Sequence, residues 1–576
     1  MRSYQCVIIN RVHKPAVKNG VISPLAEETR LLVLGYAGTL RPDLNDGSGR
    51  IFTDAYGPTP PFIRAVIDPL LKEATHRLNE RAEDTQRRFA GELIPLDSLV
   101  RLLSERLSGV LTQAVAESAH GPHQTASHLF GRFPWLRALL NQAVNEWVSA
   151  TATFLQRLHR DGPRILSWLH LPARTPIESV CGTSSDAHAG GHAVLRIAFQ
   201  GGVCLYYKPR LVTGEWLWHK LLEIAALQDP TLRLPASRVL TDERRFHYGW
   251  VESVLPEEQS GAMYSTDSAT ANCIGDADYW HAAGATLCLA QHARLTDLHL
   301  GNIRATSRGP AVTDAECLAT PDLFFAAAAP PGGDKVINAS LNSLLSTGLL
   351  ARKPESGIPD ISGLFGKSAL ISGALSGLRL PMWVAGSGGN YRLTKLPAII
   401  MDQGNAPTAT SPIAVLPHLL SGYRQAAQAL LRCRKTLLDP GAQWRSVLEN
   451  AHAPRVVLRD TLTYGLVLSE SLAPGHLSSW HRRRSVILAR LETSKPTALP
   501  PAVLRAEVQA LLQLHVPRLV AMPGTRNLSY NYGRVLARGS ATCAPVEAVV
   551  GQMQTLSAET IDSVHLPALM LAIFSP

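Results

Sequence analysis

The stretch that most constrains the fold runs from residue 181 to residue 316, where two kinds of hydrophobic pattern alternate. It opens on "CGTSSDAHAGGHAV", which is small, polar and glycine-bearing. "AVLRIAF" (193–199) and "VCLYYKP" (203–209) then read as two strands around a glycine turn. "GEWLWHKLLEIAAL" (214–227) follows with helical spacing, and "RRFHYGWVESVL" (244–255) reads as a further strand. "DYWHAAGATLCLAQHA" (278–293) is a helix that runs into the polar loop "TDLHLGNIRATSRGPAVTDAE" (296–316). This order predicts a mixed α+β domain.

The flanks differ. Residues 60–175 carry apolar residues at helical spacing and predict an amphipathic bundle. From about 319 to 390 the chain is loop-prone, with "APPGGDK", "KPESGIPDISG" and "AGSGGNY". Helices return from 415 onward. The division expected is a helical N-terminal region (1–178), a core (179–325), a loop-rich activation or substrate region (326–410) and a helical C-terminal region (411–576).

A length of 576 residues allows two to four domains. No apolar run approaches the roughly 18 residues a membrane helix needs, and the start lacks the apolar core of a signal peptide. A soluble, cytoplasmic protein without a membrane span is therefore expected. The eight cysteines are scattered, with no CxxC pair, and read as reduced thiols. Net charge is +10, which favours an acidic partner. "WHRRRSVI" (480–487) is basic, yet no zinc-finger or RNP motif accompanies it, so nucleic acid is not the expected partner.

Four clusters carry candidate chemistry. In the polar loop, Asp297 can act as base or orienting carboxylate toward an attacking hydroxyl. Asn302 and Asp314 are hard ligands suited to magnesium on nucleotide phosphates, and His299 can orient Asp297 or contact phosphate. A polar loop built of Asx-turns is the plainer reading of the same residues. Lys208 ends a strand upstream, where a kinase-like fold needs an ammonium on the α/β-phosphates; Glu215 or Glu223 could pair with it. There is no Walker A pattern. In "SDAHAGG" (185–191), Asp186 and His188 face the same way if extended, beside glycines that admit a close ligand. In "RVVLRDT" (455–461), Arg455 and Arg459 share a face if helical, with Thr461 close by; two guanidiniums and a hydroxyl suit a phosphate.

Together these segments resemble the N-terminal dehydratase domain of the class II lanthipeptide synthetases, the LanM family. "SDAHAGGHAV" resembles GDSHxxGRxV, "LYYKPR" resembles YKPRS, and "YGWVESV" resembles GWxEFV. "TDLHLGNIRA…VTDAE" resembles TDFHYENIIA…LIDLET, and "RVVLRDTLTY" resembles RxxxRxTxxY. "SLNSLLSTGLL" (340–350) and "DISGLFG" (360–366) are also similar, so the resemblance spans about residues 60–525.

It implies a two-lobed, lipid-kinase-like α+β core with helical additions at both ends. It implies ATP and Mg2+ as cofactors and a ribosomally made precursor peptide with a leader as substrate. Ser or Thr is phosphorylated, and loss of phosphate leaves dehydroalanine or dehydrobutyrine. By match, Lys208, Asp297, His299, Asn302 and Asp314 serve phosphorylation, Asp186 and His188 support the nucleotide, and Arg455 and Thr461 serve elimination. Lys208 and Asp297 also remain contributors to proton movement.

Three single positions and one short segment depart from the pattern. Ser185 replaces a glycine, His192 an arginine and Gly301 a glutamate, and "HVPRL" (515–519) stands where the family has DIPYF. The ligand set of the zinc cyclase domain is missing, with Cys543 the one cysteine in the last hundred residues. The expectation is a stand-alone dehydratase of a lanthipeptide or proteusin pathway, with a separate cyclase or other maturation enzymes as partners. The alternative is a phosphotransferase, on a small molecule or a peptide, that does not eliminate.

Overall fold

The computed structural model describes residues 5–8, 32–35, 59–118, 126–183, 189–232, 234–243, 245–254, 276–325, 335–351, 360–366, 379–385, 391–400, 411–496 and 498–574. The mixed α+β class expected from the sequence holds: long helices surround several small, mainly antiparallel sheets.

The N-terminal bundle comprises α1 (Pro61–Arg81), α2 (Asp97–Ser118), α3 (Ala126–Arg132) and α4 (Pro134–Trp168). On α4, Leu136, Leu139, Leu140, Ala143, Val144 and Val148 are buried, which is one stripe at helical spacing. Further along, Phe154, Leu155 and Leu158 turn that stripe against the central sheet.

That sheet is antiparallel, of β1 (Ile177–Gly182), β2 (Leu195–Phe199), β3 (Cys204–Lys208), β4 (Val239–Thr241) and β5 (Gly249–Glu252), in spatial order β1-β2-β3-β5-β4. Strand alternation decides what each face does. Leu205 and Tyr207 point to the α4 side, where Tyr207 lies 4.9 Å from the Trp250 ring and 5.2 Å from Phe154. Such aromatic pairs add about 1 kcal/mol each beyond area burial. Asp161 of α4 accepts from Tyr248 Oη at 2.6 Å and Trp250 Nε1 at 2.9 Å, so the buried carboxylate is satisfied. With Tyr207 anchored there, Lys208 must project from the opposite face.

On that face lie α5 (Thr213–Gln228) and α6 (Asp276–His292), backed by α7 (Lys335–Ser346) and α8 (Pro412–Leu438). Helices α6 and α8 approach through glycines. A Cβ on Gly284 would lie 2.0 Å from the Leu419 carbonyl oxygen, and one on Gly422 1.7 Å from that of His281. Both would collide with backbone, so neither helix tolerates a side chain at the crossing. The polar loop after α6 leads into a hairpin of β6 (Ile303–Thr306) and β7 (Gly309–Val312).

The C-terminal region is less uniformly helical than expected. Between α9 (Gln443–Asn450), α10 (Thr461–Ser471), α11 (Trp480–Thr493) and α12 (Pro501–Leu512) it holds an antiparallel sheet of β8 (Arg455–Val456), β9 (Leu519–Ala521), β10 (Leu528–Tyr530) and β11 (Val535–Ala537). Strands of two or three residues carry no readable alternation, and the flanking helices dominate the pattern. The loop-prone stretch likewise contains α7 and a hairpin of Arg379–Ala385 with Tyr391–Ile400. No single helix among the described residues is long and apolar enough to cross a membrane.

Candidate active site

Lys208 sits at the end of β3, buried, with its Nζ 2.8 Å from Glu215 Oε1 and 2.8 Å from the Thr313 carbonyl oxygen. Its distance to Asp314 Oδ1 is 3.9 Å. The sequence left Glu215 and Glu223 open as partners, and the fold selects Glu215. Glu215 lies on the buried first turn of α5, whereas Glu223 pairs with Lys220 and His219 at the surface. Gly214 brings that turn in: a Cβ there would stand 2.1 Å from the Ala315 carbonyl oxygen.

Arg210, two residues beyond Lys208, extends the network. Its Nη2 lies 2.8 Å from Glu215 Oε1 and 2.7 Å from Asp314 Oδ1, and its Nε 3.2 Å from Glu316 Oε2. Burial alone would raise the Glu215 carboxyl, but Arg210 and then Lys208 outweigh it and hold it at about 2. Burial disfavours the Arg210 cation, yet Asp314, Glu215 and Glu316 together push it well above its ordinary value. Each charge is thus kept by its neighbours.

The polar loop is held by backbone contacts. Asp297 adopts a left-handed conformation, φ 64°, which Asp tolerates better than most residues. Leu298 N–H donates to the Thr347 carbonyl at 2.8 Å, and Leu300 N–H to Ile361 at 3.0 Å. Both "STGLL" and "DISGLFG" therefore serve as backing for this loop. Gly363 permits it, because a Cβ there would lie 2.3 Å from the Leu298 carbonyl oxygen.

Within the loop, Asn302 Nδ2 donates to the Asp297 carbonyl at 2.8 Å. The amide nitrogen is engaged, so the oxygen is the end presented as a hard ligand. Gly301 N–H donates to His299 Nδ1 at 3.0 Å, which places the imidazole proton on Nε2, 3.8 Å from Asp297 Oδ1. Gly301, a departure at the sequence level, thus contributes through its backbone. Thr313 N–H donates to the Asn302 carbonyl at 2.9 Å, closing the open end of the β6–β7 hairpin. Asn302 and Asp314 therefore emerge from the same end of that hairpin.

No group of three or more His, Cys, Asp or Glu among the described residues could hold a metal ion. One amide oxygen and one carboxylate fit only an ion that draws its remaining ligands from phosphates and water, as magnesium does.

Arg455, some 140 residues downstream, joins this site. Its backbone N–H donates to the Glu316 carbonyl at 2.9 Å, and its Nη1 to Glu316 Oε1 at 2.7 Å. Asp297, Glu316, Arg455 and Asp314 all act on Cys317: burial first, then the Asp297 and Glu316 charges, raise its thiol well above the ordinary range, and Arg455 opposes them. Thr296 N–H donates to the Cys317 carbonyl at 3.4 Å, and with the Arg455 N–H on the Glu316 carbonyl this brings the loop, the hairpin end and Arg455 into one locality.

The expected Arg455–Arg459 pair does not form, because the segment is not helical there. Arg455 is in β8, while Arg459 turns away and is buried against Glu507, Nε to Oε1 3.0 Å. Tyr464 Oη also donates to Glu507, at 2.6 Å. Arg459 is thus a core ion pair. Thr461 opens α10, half-buried, directly after the N-cap Asp460. Asp186 and His188 lie outside the described residues.

Residues 133–521 match the family model described as "Domain of unknown function (DUF4135)". The chain belongs to that family. The DUF4135 region runs from the start of α4 through β9, so it takes in every candidate residue above, from Asp186 to Thr461. No curated protein matches the chain.

Several DUF4135-region residues at the site were not singled out by sequence. Arg210 and Glu316 stand two positions from Lys208 and Asp314, so extended-chain alternation was an available signal. His452 had none: its Nδ1 takes the Thr213 hydroxyl at 2.7 Å and its Nε2 donates to the Leu318 carbonyl at 2.6 Å, tying α5 to the segment after Asp314. Burial lowers its pKa to about 4, so it stays neutral.

Proposed function

We propose that this protein is a dehydratase of a ribosomally synthesised precursor peptide, phosphorylating Ser or Thr with ATP and then eliminating the phosphate. On this reading the α+β core is lipid-kinase-like and the pathway is of lanthipeptide or proteusin type, as the LanM resemblance implies. The observation that carries the proposal is the convergence of Lys208, Asp314 and Arg455 on one short segment, residues 313–316. A phosphotransferase needs the first two; a guanidinium beside them suits a departing phosphate.

ATP bound with magnesium supplies the γ-phosphoryl group. Lys208, held upright by Glu215, presents its ammonium to nucleotide phosphates. Asn302 and Asp314 would hold the cation. Asp297 orients the substrate hydroxyl and takes its proton as the oxygen–phosphorus bond forms, while the bond from the γ-phosphorus to the bridging oxygen breaks and ADP leaves with that electron pair. In the second step the Cα–H bond breaks, its electron pair forms the Cα=Cβ bond, and the Cβ–O bond breaks with phosphate taking that pair. The proton passes to a base of the site, for which Asp297 is the candidate once it has released the hydroxyl proton to solvent, and the Lys208 ammonium can contribute to proton movement by donating to the departing phosphate. Arg455 balances the charge that grows on the leaving group.

A kinase that stops at the phosphopeptide or phosphorylates a small molecule is the second reading, favoured by the first half of the site alone. Intact-mass spectrometry of precursor peptide incubated with ATP and magnesium separates the two. Net loss of one water per site supports the dehydratase, and retention of a phosphoryl group supports the kinase. Asp297→Asn should leave the peptide unmodified, and Arg455→Ala should leave it phosphorylated. A peptide unmodified by the wild-type protein would sink the dehydratase and the peptide kinase, leaving the small-molecule kinase.

A further inference from the structure

Arg518 lies in the segment that enters β9 and has no sequence signal pointing to catalysis. The register of the C-terminal sheet nevertheless places it beside Arg455. Arg455 is opposite Val520, and Arg518 precedes Val520 by two positions, so alternation points both guanidiniums to one side of the sheet. Both reach the same carboxylate: Arg455 Nη1 is 2.7 Å from Glu316 Oε1 and Arg518 Nη2 is 2.9 Å from Glu316 Oε2. Arg210 Nε stands 3.2 Å from the latter oxygen. Three guanidiniums thus gather on one glutamate.

Two further facts separate Arg518 from an ordinary buried ion pair. First, its side chain is nearly fully buried, yet its Nε–H donates to no partner among the described residues. A buried guanidinium donor without an acceptor costs free energy unless a ligand supplies one. Second, a strained turn aims a tyrosine at it. Asn531 and Tyr532, between β10 and β11, both have positive φ, 48° and 63°. The Tyr532 ring lies under the Arg518 guanidinium at 5.3 Å, and Tyr532 Oη accepts from Arg518 Nη2 at 2.6 Å. Such conformations persist where the surroundings over-determine them.

We infer that Arg518, braced by Tyr532, is a second phosphate-binding guanidinium beside Arg455, and that the pair recognises a phosphomonoester dianion with Glu316 as its resting counter-ion. This rests on the proposed dehydratase reading and deepens it, by naming the residue that binds the leaving phosphate with Arg455. Glu316 offers two oxygens to three guanidiniums; a phosphate offers three more and a second charge. The Arg518 Nε–H then gains the acceptor it lacks.

Two measurements test it, and the first does not depend on dehydratase activity. Calorimetric titration of the full-length protein with inorganic phosphate should show saturable binding, and Arg518→Ala should weaken it by about tenfold or more. Arg518→Lys should recover charge but only part of the affinity, since the fork of donors is lost. Equal phosphate affinity in wild type and Arg518→Ala, with both folded by circular dichroism, overturns the assignment. So does a wild-type protein that binds no phosphate.

The second measurement supplies a synthetic phosphoserine peptide and follows alkene formation by mass. Arg518→Ala should lower the elimination rate by about tenfold or more, with Tyr532→Phe lowering it less. If elimination by Arg518→Ala matches wild type, Arg518 has no part in that step. If phosphate binding depends on Arg518 but the wild-type protein eliminates nothing, the phosphate site stands and the dehydratase reading falls.

Discussion

Replacing Glu215 by Gln isolates the ion-pair network that holds Lys208. The substitution keeps the shape of the side chain and removes one charge from between Lys208 and Arg210, each 2.8 Å from Oε1. The fall of the Glu215 carboxyl from an ordinary 4.5 to about 2 corresponds to about 3 kcal/mol of favourable pairing in the folded state. The group is buried, so solvent screening does not discount that figure. Glu223, on the same helix, supplies the contrast. It is 46% exposed and pairs with Lys220 at 2.7 Å, so Glu223→Gln should cost under about 0.5 kcal/mol. Urea unfolding followed by tryptophan fluorescence measures both.

The pH dependence is set by sign. A carboxyl depressed on folding stabilises the folded state above its unfolded pKa, and that contribution fades as pH falls through the folded value. The difference between wild type and Glu215→Gln should therefore be flat above about pH 5 and narrow from about pH 4.5 toward about pH 2. Equal costs for the two Gln variants, or a gap that does not narrow in acid, would refute the reasoning.

Four further outcomes are expected. Gly422→Ala places a Cβ 1.7 Å from the His281 carbonyl oxygen and should destabilise the α6–α8 pair by about 3 kcal/mol or more, read as a lower thermal midpoint. Arg459→Ala leaves Glu507 buried without its cation and should cost about 3–5 kcal/mol by urea unfolding. Arg455→Ala, at the edge of the reacting groups, should instead change the ratio of phosphorylated to dehydrated product. His452, held at about 4, contributes stability that is complete above about pH 6.5 and is lost as pH falls through about 4. The thermal midpoint of His452→Gln should accordingly fall less steeply over that range than that of wild type.

The sequence carried the sheet's alternation and the helix periods, so the hairpin, α5 and α6 were legible, as was the placement of Lys208, Asp297, Asn302 and Asp314 around a loop. Those residues sit in patterns of local period, which a sequence states directly. The choice of Glu215 over Glu223 was not legible, because it depends on Gly214 letting α5 approach Ala315. Arg455 and Arg459 were misjudged as a pair because a two-residue strand has no period to detect; only pairing with β9 fixes which way Arg455 points. Arg455 and Arg518 meet at Glu316, and His452 reaches Thr213 and Leu318, from separate parts of the chain, and no local pattern encodes those meetings.

The central claim is that one site first attaches phosphate to a side-chain oxygen and then expels it. The most direct test uses precursor peptide whose modifiable serine carries a heavy oxygen isotope in its hydroxyl. After incubation with wild-type protein, ATP and magnesium, the released inorganic phosphate is analysed by mass. The two-step account predicts one heavy oxygen in the phosphate for each alkene formed, because the Cβ–O bond is the one that breaks. Heavy oxygen retained in a stable phosphopeptide would contradict elimination, and alkene formed with unlabelled phosphate would contradict phosphorylation as its first step.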